Sequence, residues 1–315
     1  MDCYKFKMYF NKKGFLRIIM LILVFCVGKA QNLTVNSSII SSTDNTTVTF
    51  GQGFGNRITS TGVQKLEPLI FEAQLAPLFT LQFNKKVPFG FALTPKIVCR
   101  MFNDSSWTVR TPSFMPFIMV YHRVKFPILK KYNMFKPFLD VKPTFFMSYK
   151  YGHHSNGAGG TYYVPGTKDV NLRDGNFATD YTEAAISFLS GDTINKKIQM
   201  LSGRLGFEYH VGWNREPEMS DSYYYERINL ELRFLLFNRI TVIPILSGMY
   251  GKNGFKPKYA SDTYISFRPF PKKSDIAIFA KVYIGPDYYN LRYTNTMRYV
   301  SFGFLLEPKG LAIIK

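Results

Sequence analysis

One short stretch, Ser148 to Gly160, reads Ser-Tyr-Lys-Tyr-Gly-His-His-Ser-Asn-Gly-Ala-Gly-Gly. If its first half is extended, His153 and Ser155 share one face with their Cα atoms about 6–7 Å apart, close enough for the imidazole to reach the hydroxyl. An imidazole so placed can take the serine proton and turn the hydroxyl into a nucleophile for acyl carbonyls, given a third group that orients the ring. Asn156-Gly157 is also a common hairpin dipeptide, so the same residues read as a decorated turn. The elements that present them decide between the two.

Those elements are strands. In 197–213 the odd positions Leu201, Leu205, Phe207, Tyr209, Val211 and Trp213 oppose Ser202, Arg204, Glu208 and His210. In 223–237 Ile228, Leu230, Leu232, Phe234 and Leu236 oppose Arg227, Asn229, Glu231 and Arg233, and in 275–285 Ile276, Ile278, Val282 and Ile284 oppose Asp275, Lys281 and Tyr283. Period-two alternation marks strands with one apolar and one polar face, which a soluble sandwich shares. Strands of about ten residues or longer and an aromatic content of 17 % favour an all-β transmembrane antiparallel barrel with a polar interior.

Strands are predicted near 94–102, 114–124, 143–155, 182–190, 197–213, 223–237, 240–249, 259–269, 275–285 and 296–306, with one or two more in 65–83, about twelve in all. Short links at 191–196, 238–239 and 270–274 alternate with longer ones at 156–181, 214–222 and 286–295. Long connections on one side and short turns on the other are the habit of outer-membrane barrels. An even strand count leaves both termini on the periplasmic side and 156–181 outside the cell.

The N-terminus points to export. Lys5, Lys7, Lys12, Lys13 and Arg17 precede the apolar run Ile18–Val27, and Gly28-Lys29-Ala30 supplies small residues at the cleavage positions. Residues 1–30 read as a signal peptide, 31–64 as a flexible polar segment and 65–315 as the barrel. With a leader of six basic and one acidic residue removed, +14 of the formal +19 charge remains, which suits anionic lipid better than nucleic acid in an exported protein. Only Cys99 of the three cysteines survives such processing, so no intramolecular disulfide holds this fold.

Parity then aims the opening stretch. Phe145, Met147, Tyr149, Tyr151, His153 and Ser155 form one row, the apolar one, so His153 and Ser155 face lipid; in the next strand Asp180 shares the parity of Ala184, Ile186 and Phe188. A hairpin sets Asp180 beside His153, giving Ser155 as nucleophile, His153 as base and Asp180 as the orienting group.

His153-His154-Ser155-Asn156-Gly157 resembles the His-x-Ser-Asn-Gly motif of the outer membrane phospholipase A family, and Asn176–Tyr181 is similar to the segment that carries that family's third catalytic residue. The resemblance implies a twelve-stranded barrel, calcium-dependent hydrolysis of phospholipid acyl esters at the outer leaflet, and activation by homodimerisation. It implies Gly157 as the backbone oxyanion donor, and for calcium the carbonyl of Ala158 and the side chain of Asn176, where the family has a hydroxyl, with Asp169 or Asp174 as substitute oxygens. It puts an asparagine where this chain has Asp180, a substitution that strengthens the acceptor and raises its desolvation cost. The alternative is a non-enzymatic barrel, a small channel or adhesin, with a drifted motif. His122 and His210 read as members of an interior polar network, and the basic, aromatic segment Pro127–Pro143 as a loop or membrane-surface segment.

Overall fold

The computed structural model describes residues 44–81, 89–105, 108–124, 143–191, 198–251, 258–271 and 274–306. The signal-peptide reading and almost all of Pro127–Pro143 lie outside them. Twelve antiparallel strands close a ring: β1 (Thr46–Thr59), β3 (Leu69–Leu75), β5 (Phe89–Phe102), β6 (Ser113–Val124), β7 (Thr144–Ser155), β8 (Ala178–Gly191), β9 (Ile198–Val211), β10 (Glu226–Leu236), β11 (Ile240–Tyr250), β12 (Lys258–Phe267), β13 (Ile276–Pro286) and β14 (Thr296–Leu306). Two short strands ride on it, β2 (Gly62–Lys65) against β1 and β4 (Phe79–Leu81) against β5. No helix among the described residues is long and apolar enough to cross a membrane.

The ring is inverted relative to a soluble protein. Its exposed outer face carries Phe91, Leu93, Ile118, Val120, Ile186, Phe207, Ile228, Ile278 and Phe304, while Arg100, Lys150, Glu183, Arg204, Glu208, Glu231 and Lys281 are buried inside. That inversion decides what alternation alone left open: the apolar face has no second sheet to pack on, so it is the face of a membrane-type barrel.

Inside, charges are paired. Arg100 donates to Glu72 Oε2 at 2.6 Å and to Asp287 Oδ2 at 2.9 Å, Lys150 meets Glu183 at 3.1 Å, Lys281 meets Asp262 at 3.2 Å, and Arg204 also contacts Glu183. Arg233 of β10 reaches Asn45, just before β1, at 3.5 Å across the lumen. A cavity of about 250 Å³ remains between such pairs, bordered by Lys96, Lys150, Glu183, Arg204 and Glu208.

The segment 31–64, read as flexible, needs correction: 46–59 is strand β1, which closes the ring against both β14 and β3. Alternation failed there because a bulge sets Phe50 to Phe54, five residues, against the three residues Phe302 to Val300 on β14. Gly53 within it has φ +66, and a Cβ there would lie 2.3 Å from Val300 O, so the irregular backbone needs glycine and loses the two-residue period. His122 is also corrected. It is exposed and shares the outward row of Phe114, Ile118 and Val120 rather than the interior.

At the end of the ring reached by β7, the long connections pack on one another. Tyr162 and Phe177 from 156–177, Met219 and Tyr223 from 212–225, and Leu291 and Tyr293 from 287–295 form a buried cluster. Tyr293 OH bonds Tyr162 OH at 2.5 Å and Ser222 Oγ at 2.7 Å.

Removing one buried partner leaves the others charged and unsatisfied, which costs about 3–5 kcal/mol. Glu183→Leu strands both Lys150 and Arg204. It is expected to lower the temperature at which the barrel loses its heat-modifiable gel mobility, whereas Ile186→Val on the outward row of the same strand should leave that temperature nearly unchanged.

Candidate active site

Strand β7 brings the histidine and serine to the loop end of the barrel, and β8 pairs with it so that His153 lies opposite Asp180 and Ser155 opposite Ala178. On the other side Ser155 pairs with Phe114 of β6. Parity holds to the end of β7: Phe146, Lys150, Gly152 and His154 are buried, and the alternate residues, His153 and Ser155 included, are at least partly accessible.

His153 Nδ1 bonds Asp180 Oδ1 at 2.6 Å, with the imidazole 38 % exposed and the aspartate side chain 1 %. A carboxylate can only accept, so it holds the proton on Nδ1 and leaves Nε2 of the neutral ring free to take another. The Ser155 hydroxyl makes no hydrogen bond among the described residues, and catalytic hydrogen bonds commonly form only once substrate is in place.

His154 faces the other way. Its Nε2 lies 2.6 Å from Ser113 Oγ and its ring packs edge-on against Phe177 at 4.6 Å, so it ties β7 to β6 and to the loop cluster. His210 belongs to the same lumen side, 3.2 Å from Thr179 Oγ1 through Nδ1 and 2.9 Å from Glu208 through Nε2.

Asn156 organises the turn that follows. It is 5 % exposed, its Nδ2 donates to Gly175 O at 2.8 Å, and its Oδ1 accepts from the N–H groups of Ala158 and Phe177, each at 3.1 Å. Gly157 then adopts φ +65, a left-handed conformation that would strain a side chain even though a Cβ would have room there. Its N–H makes no hydrogen bond among the described residues, so it is available to an oxyanion.

The oxygens considered for calcium are less concentrated. Among the described residues no three His, Cys, Asp or Glu side chains converge on a metal position. Asp174 is exposed, and its carbonyl accepts from Gly160 N at 2.9 Å. Asn176 donates its Nδ2 to Glu216 Oε1 at 2.6 Å, which keeps its own Oδ1 for other use and adds a carboxylate that sequence reasoning missed. Burial and the neighbouring Glu218 push the Glu216 carboxyl above its usual range, a shift that a bound cation would oppose. Ala158 O, Asn176 Oδ1 and Glu216 therefore suit a hard cation chemically, as oxygen donors with one charge among them.

Two other neighbours were not anticipated. Asn214, three residues after β9, donates its Nδ2 to Asp180 Oδ2, and Tyr151 on the outward row is paired with Thr182, diagonal to that carboxylate. The available signal was topological: Val211, at the end of β9, is the cross-strand partner of Asp180.

A closed twelve-strand ring with an apolar exterior and a polar lumen defines a membrane-type β-barrel protein. Its fold is that of outer membrane phospholipase A, as comparison with solved structures shows. The E. coli outer membrane phospholipase A matches with TM-score 0.51 and 14 % identity over 86 % of this chain and 93 % of that one. An active-site mutant of the E. coli protein at pH 6.1 matches with TM-score 0.52 and 13 % identity, and a Salmonella typhi outer membrane phospholipase dimer with bound calcium with TM-score 0.53 and 14 % identity, both over the same shares. No protein-family model matches the chain, and no curated protein matches it by sequence.

Asn156→Ala removes a donor to Gly175 O and the acceptor for two N–H groups, at a cost of about 2–3 kcal/mol. Limited proteolysis of the intact barrel should cut within 157–176 several-fold faster in this variant while the heat-modifiable ring persists. Equal cutting rates would show that the loop cluster holds the turn without Asn156.

Proposed function

We propose that this protein hydrolyses acyl esters of membrane phospholipids in the outer membrane of a Gram-negative bacterium, using calcium and acting as a homodimer. The observation that carries the reading is the His153–Asp180 hydrogen bond on the outward, apolar face, with Ser155 two residues along the same row. A hydroxyl, an imidazole and a carboxylate on a lipid-facing surface have access to acyl chains and little access to soluble substrates.

In this mechanism Nε2 of His153 takes the Ser155 proton as Oγ attacks the ester carbonyl. Asp180 keeps the ring in the Nδ1–H tautomer and stabilises the imidazolium that forms. The Gly157 N–H donates to the oxyanion of the tetrahedral intermediate. Collapse returns the proton from Nε2 to the departing lysolipid oxygen and leaves an acyl-serine. Water, deprotonated by the same imidazole, then releases the fatty acid. Calcium, held by Ala158 O, Asn176 Oδ1 and Glu216, would supply positive potential beside the oxyanion. The channel alternative finds little support in the lumen, which contacts such as Arg233–Asn45 span.

Ser155→Ala is expected to abolish lipid hydrolysis by the refolded barrel, a loss of at least about 10³-fold, without altering its heat-modifiable mobility. His153→Ala should do the same, whereas His154→Gln keeps most activity. A Ser155→Ala variant as active as the parent overturns the reading. Chelating calcium should suppress hydrolysis in the parent, and Glu216→Gln should raise the calcium needed for half-maximal activity about tenfold or more.

A further inference from the structure

Asp180 sits on the outward face of a membrane barrel yet its side chain is only 1 % exposed. Hydrocarbon offers a carboxylate nothing, so an ion there needs donors from the protein or it becomes neutral and stops orienting the imidazole. His153 Nδ1 supplies one donor, to Oδ1. The rest of the requirement is met from outside the histidine–serine motif.

We infer that Asn214 is a positioning residue which, with Tyr151, keeps Asp180 ionised and aimed at His153, so that an aspartate serves this site only as half of an Asp180–Asn214 pair. This deepens the proposed hydrolase reading and rests on it for the role of His153.

The chemistry fixes the direction of the pair. Asp180 Oδ2 has only lone pairs to offer, so the Asn214 amide must present its NH₂, and Nδ2 is the atom found there. Strand order explains why position 214 holds the partner. Asp180 is flanked by His153 on β7 and by Val211 on β9, so the first residues after β9 are the nearest available to cover its second oxygen. Asn214 is itself exposed, and it follows Trp213, which is 79 % exposed, so it closes the site from the outer side rather than packing beneath it. Tyr151 lies two residues before His153 on the same row and opposite Thr182, so its long side chain is diagonal to Asp180 and within reach of the carboxylate. The carboxylate thus receives an imidazole and an amide, with the Tyr151 phenol within reach, and its neighbours on the row, Ala178 and Thr182, carry no charge.

The pairing has a reciprocal form. An amide at 180 has an NH₂ to give and a carboxylate at 214 can accept it, so Asp–Asn and Asn–Asp are chemically equivalent across this contact, while Asp–Asp sets two acceptors against each other. Full-length barrels refolded in detergent are assayed on mixed micelles of a phospholipid analogue with a thioester at the cleaved position. Asn214→Asp is expected to lose at least about tenfold in kcat, with KM changed less than about threefold. Adding Asp180→Asn to Asn214→Asp should restore activity to within about threefold of Asp180→Asn alone. Tyr151→Phe should lose about three- to tenfold in the parent and under about twofold in the Asp180→Asn background. Losses that multiply independently of residue 180 would overturn the inference, as would an Asn214→Asp enzyme as active as the parent.

A second readout needs no turnover. The Nδ1–H proton of His153, assigned by its disappearance in His153→Gln, reports the hydrogen bond to residue 180 by NMR. It should broaden or move upfield in Asn214→Asp and recover in the swapped double variant. If the proton behaves so but the parent hydrolyses no lipid, the pairing stands and the hydrolase reading falls. If the parent hydrolyses lipid but neither rate nor proton responds to Asn214→Asp, the hydrolase reading stands and the pairing falls.

Discussion

Everything in this molecule follows from an outward face with no water to meet it. Ile186, Phe207, Ile228, Ile278 and Phe304 must face hydrocarbon, so Lys150, Glu183, Arg204 and Lys281 on the alternate positions must face one another. The hydrophobic core of a soluble protein is replaced by an exterior, and the interior coheres through ion pairs and hydrogen bonds between buried side chains. The small apolar clusters inside, such as Ala92, Phe117, Met119, Tyr121 and Phe146, fill space between those pairs.

The same partition makes the site unusual. Neighbouring residues of β7 answer to different solvents: His154 bonds Ser113 in the lumen while His153 bonds Asp180 on the lipid side. Under the proposed function, a site on the outer face would obtain its substrate by lateral diffusion rather than through a cleft, and so would gain nothing from a pocket. What it needs is a rigid frame, because a membrane does not hold a loop still. The loop cluster of Tyr162, Phe177, Met219, Tyr223, Leu291 and Tyr293 supplies that frame from three connections at once, and Asn156 links the turn after the serine to it.

The sequence made the His153–Asp180 register legible because both strands keep an unbroken two-residue period and the hairpin joining them preserves parity. It made the closed all-β ring legible for the same reason over most of 94–306. β1 escaped notice because Gly51 and Gly53 bulge the chain and break the period just where Phe50 and Phe54 face out. His122 was misassigned because a polar side chain at the end of an apolar row looks like an interior residue until neighbouring strands fix the face. Asn214 and Glu216 lie in a connection with no period at all, and their partners Asp180 and Asn176 are distant in sequence, so only the folded pairing of β8 with β9 reveals them.

The seam between β1 and β14 has a consequence for how the molecule is made. It joins Thr46 to Leu306 and Ile58 to Thr296, so the contact that shuts the ring has the longest sequence separation in the described chain. Loop closure over such a span comes late in folding, after the local hairpins. Until it does, β1 and β14 each present a row of unpaired N–H and C=O groups. The partly assembled chain therefore carries two adhesive edges at once, and its solubility before insertion depends on something holding those edges apart from each other's copies.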